Sequence, residues 1–362
     1  MLRGLPRRLW QRVRGPLARA RGWAAFALSH LETGSTVLFD EPGLAGPPGP
    51  HVAVFCHFDG AGRIREHTRA YVEALRAERL GVVFVTNAGH LEPEDLEWVR
   101  ARASRVVIRR NLGYDFAAWR DAIAAAALPA PDTRMLLIAN DSVYGPLRPI
   151  RPALERMDFA AADVWSVTDS WQHRFHLQSF FVAFGPRALA HPAFPRFWSS
   201  VGNVRSKWWV VTRFEIGLTR AMLGAGLRCR ALWPYTTLIE RLREETSREE
   251  RWEVEDGTAV RAVRREAGCD AAPRDPFAEI RRHAAGRVLG LALGRVPMNP
   301  TADLWQVLLE QGCPFLKREL LRDNPGLVPG VAAWSATVGA IDARGRDVIL
   351  RDLERCLKDR SP

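Results

Sequence analysis

The sequence predicts an α/β protein: a mostly parallel sheet flanked by helices, with a basic N-terminal arm before it and a helical extension after it. Three observations predict this class. Short β-branched runs alternate with stretches of helical length from residue 51 to residue 139. Positive charge is concentrated ahead of that alternation, because residues 1–31 carry seven arginines and no acid. Beyond about residue 160 the alternation gives way to shorter, mixed segments.

The arm covers residues 1–40. Leu5, Leu9, Val13, Leu17, Ala20 and Ala24 recur at steps of four and three with arginines between them, which predicts an apolar stripe on one side of a helix. Gly4, Pro6, Gly15 and Pro16 interrupt the pattern and predict two short helical pieces. Such an arm, with Trp10 and Trp23, either docks on anionic lipid headgroups or is disordered or packed on its own chain. Residues 41–50, EPGLAGPPGP, read as a linker.

The main domain is expected over 51–240. Strands are predicted at His51–His57, Val82–Thr86, Val106–Arg109 and Met135–Ala139. The helices between them fall at Glu66–Arg79, Glu92–Arg102 and Phe116–Ala127. Right-handed crossovers then put the C-terminal ends of these strands on one edge, where such sheets bind ligands. Val164–Thr168 and Gln178–Phe184 read as two further strands, and Phe214–Ala225 as a helix. Residues 241–362 form the expected C-terminal region, mainly helical and opening with a charged stretch over 241–257.

Each of the first four strands is followed by a polar cluster. These are Cys56-His57-Phe58-Asp59-Gly60, Thr86-Asn87-Ala88-Gly89, Asn111-Leu112-Gly113-Tyr114-Asp115-Phe116 and Asn140-Asp141-Ser142. Asn, Asp and Gly are ordinary turn residues. Four clusters in register with four strands point to a site. No GxGxxG follows the first strand, no GxxxxGK[ST] occurs, and Ser142 lacks a GxSxG elbow. What remains is a sheet that grips a nucleotide through side chains and loops. A diphosphate leaving group would be neutralised by a divalent metal at Asp141 or by arginines.

Composition narrows the class further. With 47% hydrophobic and 26% charged residues the chain can bury a core. Residues 1–31 contribute seven of the formal net charge of +11, so the folded domain does not carry the broad basic face of a nucleic-acid enzyme. Nucleic acid is therefore not an expected partner. The five cysteines are scattered and never in CxxC spacing, which predicts reduced thiols. No apolar run approaches the ~20 residues that cross a bilayer, and Arg19 and Arg21 break any secretory core. A cytoplasmic location is expected.

The segments NLGYDFAAWRDA (111–122), LLIANDSVYGPL (136–147) and HLQSFFVAF (176–184) resemble those of the rhamnan synthesis protein F family. FEIGLT (214–219) and NPTADLWQVLLEQGCPFLKRELLRDNP (299–325) do so as well. The likeness spans roughly residues 50–330. It implies a GT-A-like (Rossmann-like) fold, distantly similar to family-2 glycosyltransferases. It also implies a nucleotide-sugar donor and a role in rhamnose-rich cell-surface polysaccharides. The implied donor is dTDP-L-rhamnose, the acceptor a polysaccharide or lipid-linked glycan, and the place of work the cytoplasmic face of a bacterial inner membrane.

His57 and Asp59, in the first strand-end cluster, are expected to contact the nucleotide sugar; by the resemblance, Asn111, Gly113, Tyr114 and Asp115 hold the nucleoside, with Thr86 or Asn87 at the base. Asn140-Asp141-Ser142 stands where the family-2 enzymes carry DxD. The first carboxylate of the pair is therefore missing and the second position carries a serine, so an Mg2+ or Mn2+ ion would rest on Asp141. Glu215 matches the acid of the ED motif and is the expected general base, with Asp169 in reserve. Glu215 could equally be a helix N-terminal acid. His176 and Gln178, near Trp171 and His173, are expected to bind the acceptor. Lys317 and Arg318 read as surface charges rather than diphosphate contacts. A non-catalytic scaffold that kept the fold is the competing reading.

Overall fold

The computed structural model describes residues 7–29, 35–254 and 296–359; side chains are described from 16 to 29, 35 to 244 and 296 to 359. In chain order, helix α1 (Arg7–Ser29) is followed by strands β1 (Val37–Pro42) and β2 (His51–His57). Then come α2 (Glu66–Ala77), β3 (Gly81–Thr86), α3 (Pro93–Arg100), β4 (Arg105–Arg109), α4 (Tyr114–Ala125) and β5 (Met135–Asn140). The remaining strands are β6 (Val143–Tyr144), β7 (Val164–Ser170), β8 (His176–Leu177), β9 (Phe181–Phe184), β10 (Cys229–Trp233) and β11 (Leu316–Lys317).

The large sheet has nine strands in the order β1-β4-β3-β2-β5-β9-β7-β10, with β8 added to β7. Strands β4, β3, β2 and β5 run parallel, so residues 57, 86, 109 and 140 end on one edge as the alternation predicts. Both flanks are antiparallel: β1 pairs with β4, and β9 with β5 and β7. The Pro/Gly composition around residue 41 hides β1, which straddles the arm and the linker; its ladder with β4 runs from Val37–Arg109 to Pro42–Arg105. An edge strand is one of the few sheet positions that accept proline.

The central strands are apolar on both faces because helices cover both. Every residue of β5 and all but the first of β2 are buried, each large aliphatic contributing about 1.5–3 kcal/mol on burial. Helix α4 is fixed directly on the sheet, since the buried Trp119 indole donates to the Ala139 carbonyl at 3.1 Å. Tyr71 of α2 meets Phe55 of β2 edge to face at 5.1 Å. These two helices set the C-terminal edge of the sheet.

Two compact units divide the chain. The first holds residues 1–141, 150–167 and 175–230; the second holds 142–149, 168–174 and 231–362. In the second unit β6 pairs antiparallel with β11. Its core gathers Tyr144, Leu147, Trp305, Leu309, Leu316, Leu320, Val338 and Ile349. The helix at Tyr235–Val254 and those between Pro300 and Lys358 give the expected helical region. The charged stretch is expected over 241–257, and residues 255–257 lie outside the described residues.

One expectation for the arm changes. Pro16 lies inside a single helix, α1, rather than between two pieces. Pro16 removes one backbone donor, and the second half of α1 is held on Trp209 by Trp23 and Phe26. The predicted apolar stripe faces outward where it is described: Leu17, Ala20 and Ala24 are exposed, and the buried Gly22 lies on the packed side.

Candidate functional site

The parallel strands deliver their terminal residues to a bonded group in the first unit. Asn140, the last residue of β5, donates from Nδ2 to Asp115 Oδ2 at 2.6 Å. Asp115 sits in the first turn of α4, where a helix dipole favours a carboxylate. The next residue, Asp141, donates its amide to the Cys56 carbonyl at 3.1 Å, and its Oδ2 accepts from the Phe58 amide at 3.2 Å. The buried Cys56 thiol is directed at Asp115 Oδ1 over 4.0 Å. Burial pushes this thiol well above its usual range, and the charges of Asp115 and Asp141 add to the effect. Two carboxylates and one carboxamide thus meet around the end of β2.

The turn between β4 and α4 is shaped by Gly113 and Tyr114, at φ 77° and 56°. Only glycine fits at 113, because a Cβ there would lie 2.5 Å from the Ala117 side chain. Tyr114 is 40% exposed, and Asn111 is exposed in the same loop. The other predicted residues face inward. His57 Nδ1 and Thr86 Oγ1 form a buried hydrogen bond of 3.0 Å. Asn87 is buried, and its Nδ2 donates to the Tyr114 carbonyl at 3.3 Å.

Asp59 closes its own loop. Its carboxylate accepts from the Ala61 amide at 2.9 Å and pairs with Arg65 at 2.8 Å. Burial works against ionisation there, but the Arg65 and backbone hydrogen bonds outweigh it and hold the carboxyl below its ordinary value.

Arg109 is the residue behind these loops that the motifs do not reveal. It is fully buried at the end of β4. Its Nη1 donates to Asn87 Oδ1 at 2.6 Å and to the Leu112 carbonyl at 2.8 Å, its Nε to Asp121 at 2.9 Å, and its Nη2 to Asn203 at 3.3 Å. One guanidinium therefore ties the loop after β3 to the loop after β4. The available signal was an arginine closing a β-branched strand immediately before the NLGYD turn.

Glu215 is linked to the same group through Ser179 and Phe180. Its Oε1 accepts from the Ser179 amide at 3.1 Å and the Ser179 hydroxyl at 2.9 Å. The next residue, Phe180, accepts the Asn140 amide at 3.3 Å. Phe214 packs against Phe116, the neighbour of Asp115, with centroids 5.9 Å apart. Glu215 ends a π-helical turn, Val210–Glu215, where a regular α-helix from Phe214 was expected. Such turns re-aim side chains and recur at functional sites.

His176 and Gln178 are buried, so neither presents its side chain to an acceptor at the surface. Trp171, His173 and Arg174 of that stretch are exposed instead. Asp169 and Ser142 belong to the second unit. Asp169 is buried and accepts the Tyr235 amide at 2.7 Å. Ser142 accepts from Lys317 Nζ at 2.9 Å, so Lys317 is bonded rather than free on the surface. Arg318 pairs with the buried Asp352 at 3.4 Å.

Among the described residues no group of three or more His, Cys, Asp or Glu side chains is arranged to hold a metal ion. Asp141 could serve as one ligand among phosphate oxygens, a common Mg2+ arrangement. It does not make a cage by itself.

A family model described as rhamnan synthesis protein F matches residues 82–247. The chain resembles that family over this stretch. Four of the five segments quoted above, from NLGYDFAAWRDA to FEIGLT, fall within the rhamnan synthesis protein F match, and residues 299–325 fall beyond it. The Asp115–Asn140 pair and Glu215 lie inside it.

The virulence protein VirA of Vibrio anguillarum is 27% identical over 285 residues, covering 76% of this chain and 80% of its own. The protein y4gN of Sinorhizobium fredii is 28% identical over 205 residues, 53% of each chain. Among solved structures, a candidate nucleotide-diphospho-sugar transferase from Desulfovibrio desulfuricans is 11% identical with a TM-score of 0.31, covering 59% of this chain and 94% of its own. A mannosyltransferase from Pyrobaculum calidifontis, in complex with GDP-Man and Mn2+, is 13% identical with a TM-score of 0.32, covering 93% and 90%. No described helix is long and apolar enough to cross a membrane.

Proposed function

We propose that this chain is a nucleotide-sugar-dependent glycosyltransferase with a GT-A-like site at the C-terminal edge of its parallel strands. The observation that carries this reading is the contact group of Asp115, Asn140 and Asp141, with Glu215 tied to it through Ser179 and Phe180. Tyr114 and Asn111 face the solvent beside that group and would meet the nucleotide sugar. Thr86, Asn87 and His57 act from beneath it, as residues that fix the loops. The donor is dTDP-L-rhamnose and the acceptor a polysaccharide or lipid-linked glycan, by resemblance to the rhamnan synthesis family.

Transfer is inverting. The acceptor hydroxyl attacks the anomeric carbon, the bond from that carbon to the diphosphate breaks, and the nucleoside diphosphate leaves. Glu215 takes the hydroxyl proton as general base. Both hydrogen bonds from Ser179 fall on Oε1, which orients the carboxylate and assigns the proton to Oε2. Asp169 is the weaker candidate, because its carboxylate is already engaged by the Tyr235 amide. A metal ion, where bound, would neutralise diphosphate charge beside Asp141, and no step above depends on it. The chain works at the cytoplasmic face of an anionic membrane, reached through α1.

The test is a transfer and donor-hydrolysis assay on purified protein with a panel of nucleotide sugars, with and without Mn2+. Turnover of at least one donor is expected. A folded protein that neither turns over nor binds any nucleotide sugar sinks the reading. The missing DxD carboxylate at Asn140 favours one competitor, a scaffold of a polysaccharide assembly complex. A scaffold would still complement a deletion strain after Glu215→Ala.

A further inference from the structure

Helix α1 is docked by one face and apolar on the other. Gly22 is buried, and Ala18, Ala25, Phe26 and Ser29 are half-buried. These positions share one side of a helix. That side rests on Trp208 and Trp209. Phe26 stacks on Trp209 at 4.5 Å, Trp23 meets it edge-on at 5.0 Å, and a Cβ on Gly22 would come within 2.6 Å of the Trp208 ring. Leu17, Ala20, Arg21, Ala24 and Leu28 fall at i, i+3, i+4, i+7 and i+11, and all are exposed. Leu28 is 61% exposed and Leu17 39%. The residues with the larger apolar side chains at this end of the stripe thus face away from the protein.

The surroundings are cationic. Arg19 and Arg21 are exposed on α1, and Arg205, Lys207 and Arg213 are exposed on the segment that receives it. Arg213 lies over the Trp23 and Trp209 rings at 5.3 Å from each centroid. Neither residues 7–29 nor residues 186–214 contain an Asp or Glu. An apolar ridge among cations, with no acid in either stretch, is complementary to acyl chains beneath anionic headgroups. A second copy of the chain is disfavoured, since a two-fold contact through this face would set arginine against arginine.

We propose that the outward face of α1, together with Arg205, Lys207 and Arg213, is a folded docking surface for anionic phospholipid, with Leu17 and Leu28 entering the acyl boundary. The proposal rests on the part of the functional reading that puts the chain at a membrane, and it is separable from donor binding. It assigns the surface to two segments packed together rather than to a free arm.

The experiment is co-sedimentation of the full chain with vesicles of phosphatidylglycerol and cardiolipin, against vesicles of phosphatidylcholine. Binding to the anionic vesicles is expected to be at least about tenfold the stronger. It should fall as salt rises from about 0.1 M to about 1 M, where the Debye length shrinks from ~10 Å to ~3 Å. The Leu17→Ser/Leu28→Ser pair and, separately, Arg19→Gln/Arg21→Gln should each weaken binding by roughly fivefold or more. Thermal unfolding and nucleoside diphosphate binding should not move, because these four side chains are exposed. Equal binding to both vesicle types overturns the proposal, as does full retention by both variants. A concentration-dependent dimer that the leucine pair dissolves, without any vesicle binding, assigns the face to a second copy and overturns it too. Vesicle binding without nucleoside diphosphate binding would instead support this surface and count against the transferase reading.

Discussion

Asn140 Nδ2 and Asp115 Oδ2 lie 2.6 Å apart, so the carboxamide at the end of β5 neutralises the hydrogen-bonding demand of the carboxylate that opens α4. Asn140→Asp would set two carboxylates at that distance and raise the pKa of one of them. A folded-state carboxyl raised by about two units destabilises the fold by about 3 kcal/mol at neutral pH. The sign follows from linkage: the folded state then binds more protons than the unfolded chain, so stability falls as pH rises through the raised value. Urea unfolding of Asn140→Asp should show the deficit at pH 7 and its recovery toward pH 5. Partial rescue by Mn2+ at pH 7 would indicate that the restored carboxylate pair holds a cation.

Glu215 is predicted to be needed for turnover but not for donor binding. Glu215→Gln keeps an acceptor for Ser179 at Oε1 and removes the base. Loss of turnover by about 10²–10⁴ is expected, with nucleoside diphosphate affinity within about twofold. Ser179→Ala leaves the base but frees its orientation, and a smaller loss of roughly tenfold is expected. Equal loss of turnover and of donor affinity in Glu215→Gln would mean that the carboxylate supports the loop rather than the reaction.

Arg109 joins two site loops from a fully buried position. Arg109→Met would take this donor from Asn87 Oδ1 and the Leu112 carbonyl and one cation from Asp121, which keeps Arg120 at 2.6 Å and the Thr36 hydroxyl at 2.9 Å. Loss of one partner from a buried charged pair is worth about 3–5 kcal/mol. Arg109→Lys keeps the charge but cannot reach all four partners, so an intermediate midpoint in chemical denaturation is expected. A wild-type midpoint for Arg109→Met would remove Arg109 from the account of the site.

Asp163, buried and paired with Arg228 and Arg187, makes part of the stability depend on pH. The Arg228 side-chain hydrogen bond is the main force lowering its pKa; burial opposes it, and the Arg228 amide and Arg187 assist. A depressed carboxyl contributes fully above its unfolded value near 3.9 and loses that contribution as pH falls further. Asp163→Asn should therefore cost about 1.5–3 kcal/mol at pH 7. The gap to wild type should close below about pH 4. A constant gap from pH 7 to pH 3 would show that packing, not charge, sets the effect.

Much of the site was readable because strand ends carry their chemistry in local sequence. Asp115, Asn140 and Asp141 each follow or close an apolar strand run, and parallel crossovers leave those ends on one edge. What could not be read was which polar residues turn inward. Asn87, Thr86 and His57 look like Asn111 and Tyr114 in a string of turn residues, yet the first three are buried and the last two exposed. The inward turn of Asn87 is held by Arg109, whose partners lie 3, 12, 22 and 94 residues away, and that of His57 by Thr86, 29 residues on. The same limit applies to α1. Its spacing announces an apolar stripe but not whether Trp209 will take that face or the opposite one.

The alternation of strand and helix, the polar strand ends and the acid-free stretch over residues 1–31 were all determined by the sequence alone, because each is set by neighbours a few residues apart. Tertiary structure decided the antiparallel flanks, the π-helical turn that ends at Glu215, the burial of His176 and Gln178, and the outward turn of Leu17 and Leu28. Those depend on long-range contacts, whose energies come from whichever distant surfaces complete one another, and no local spacing encodes that choice.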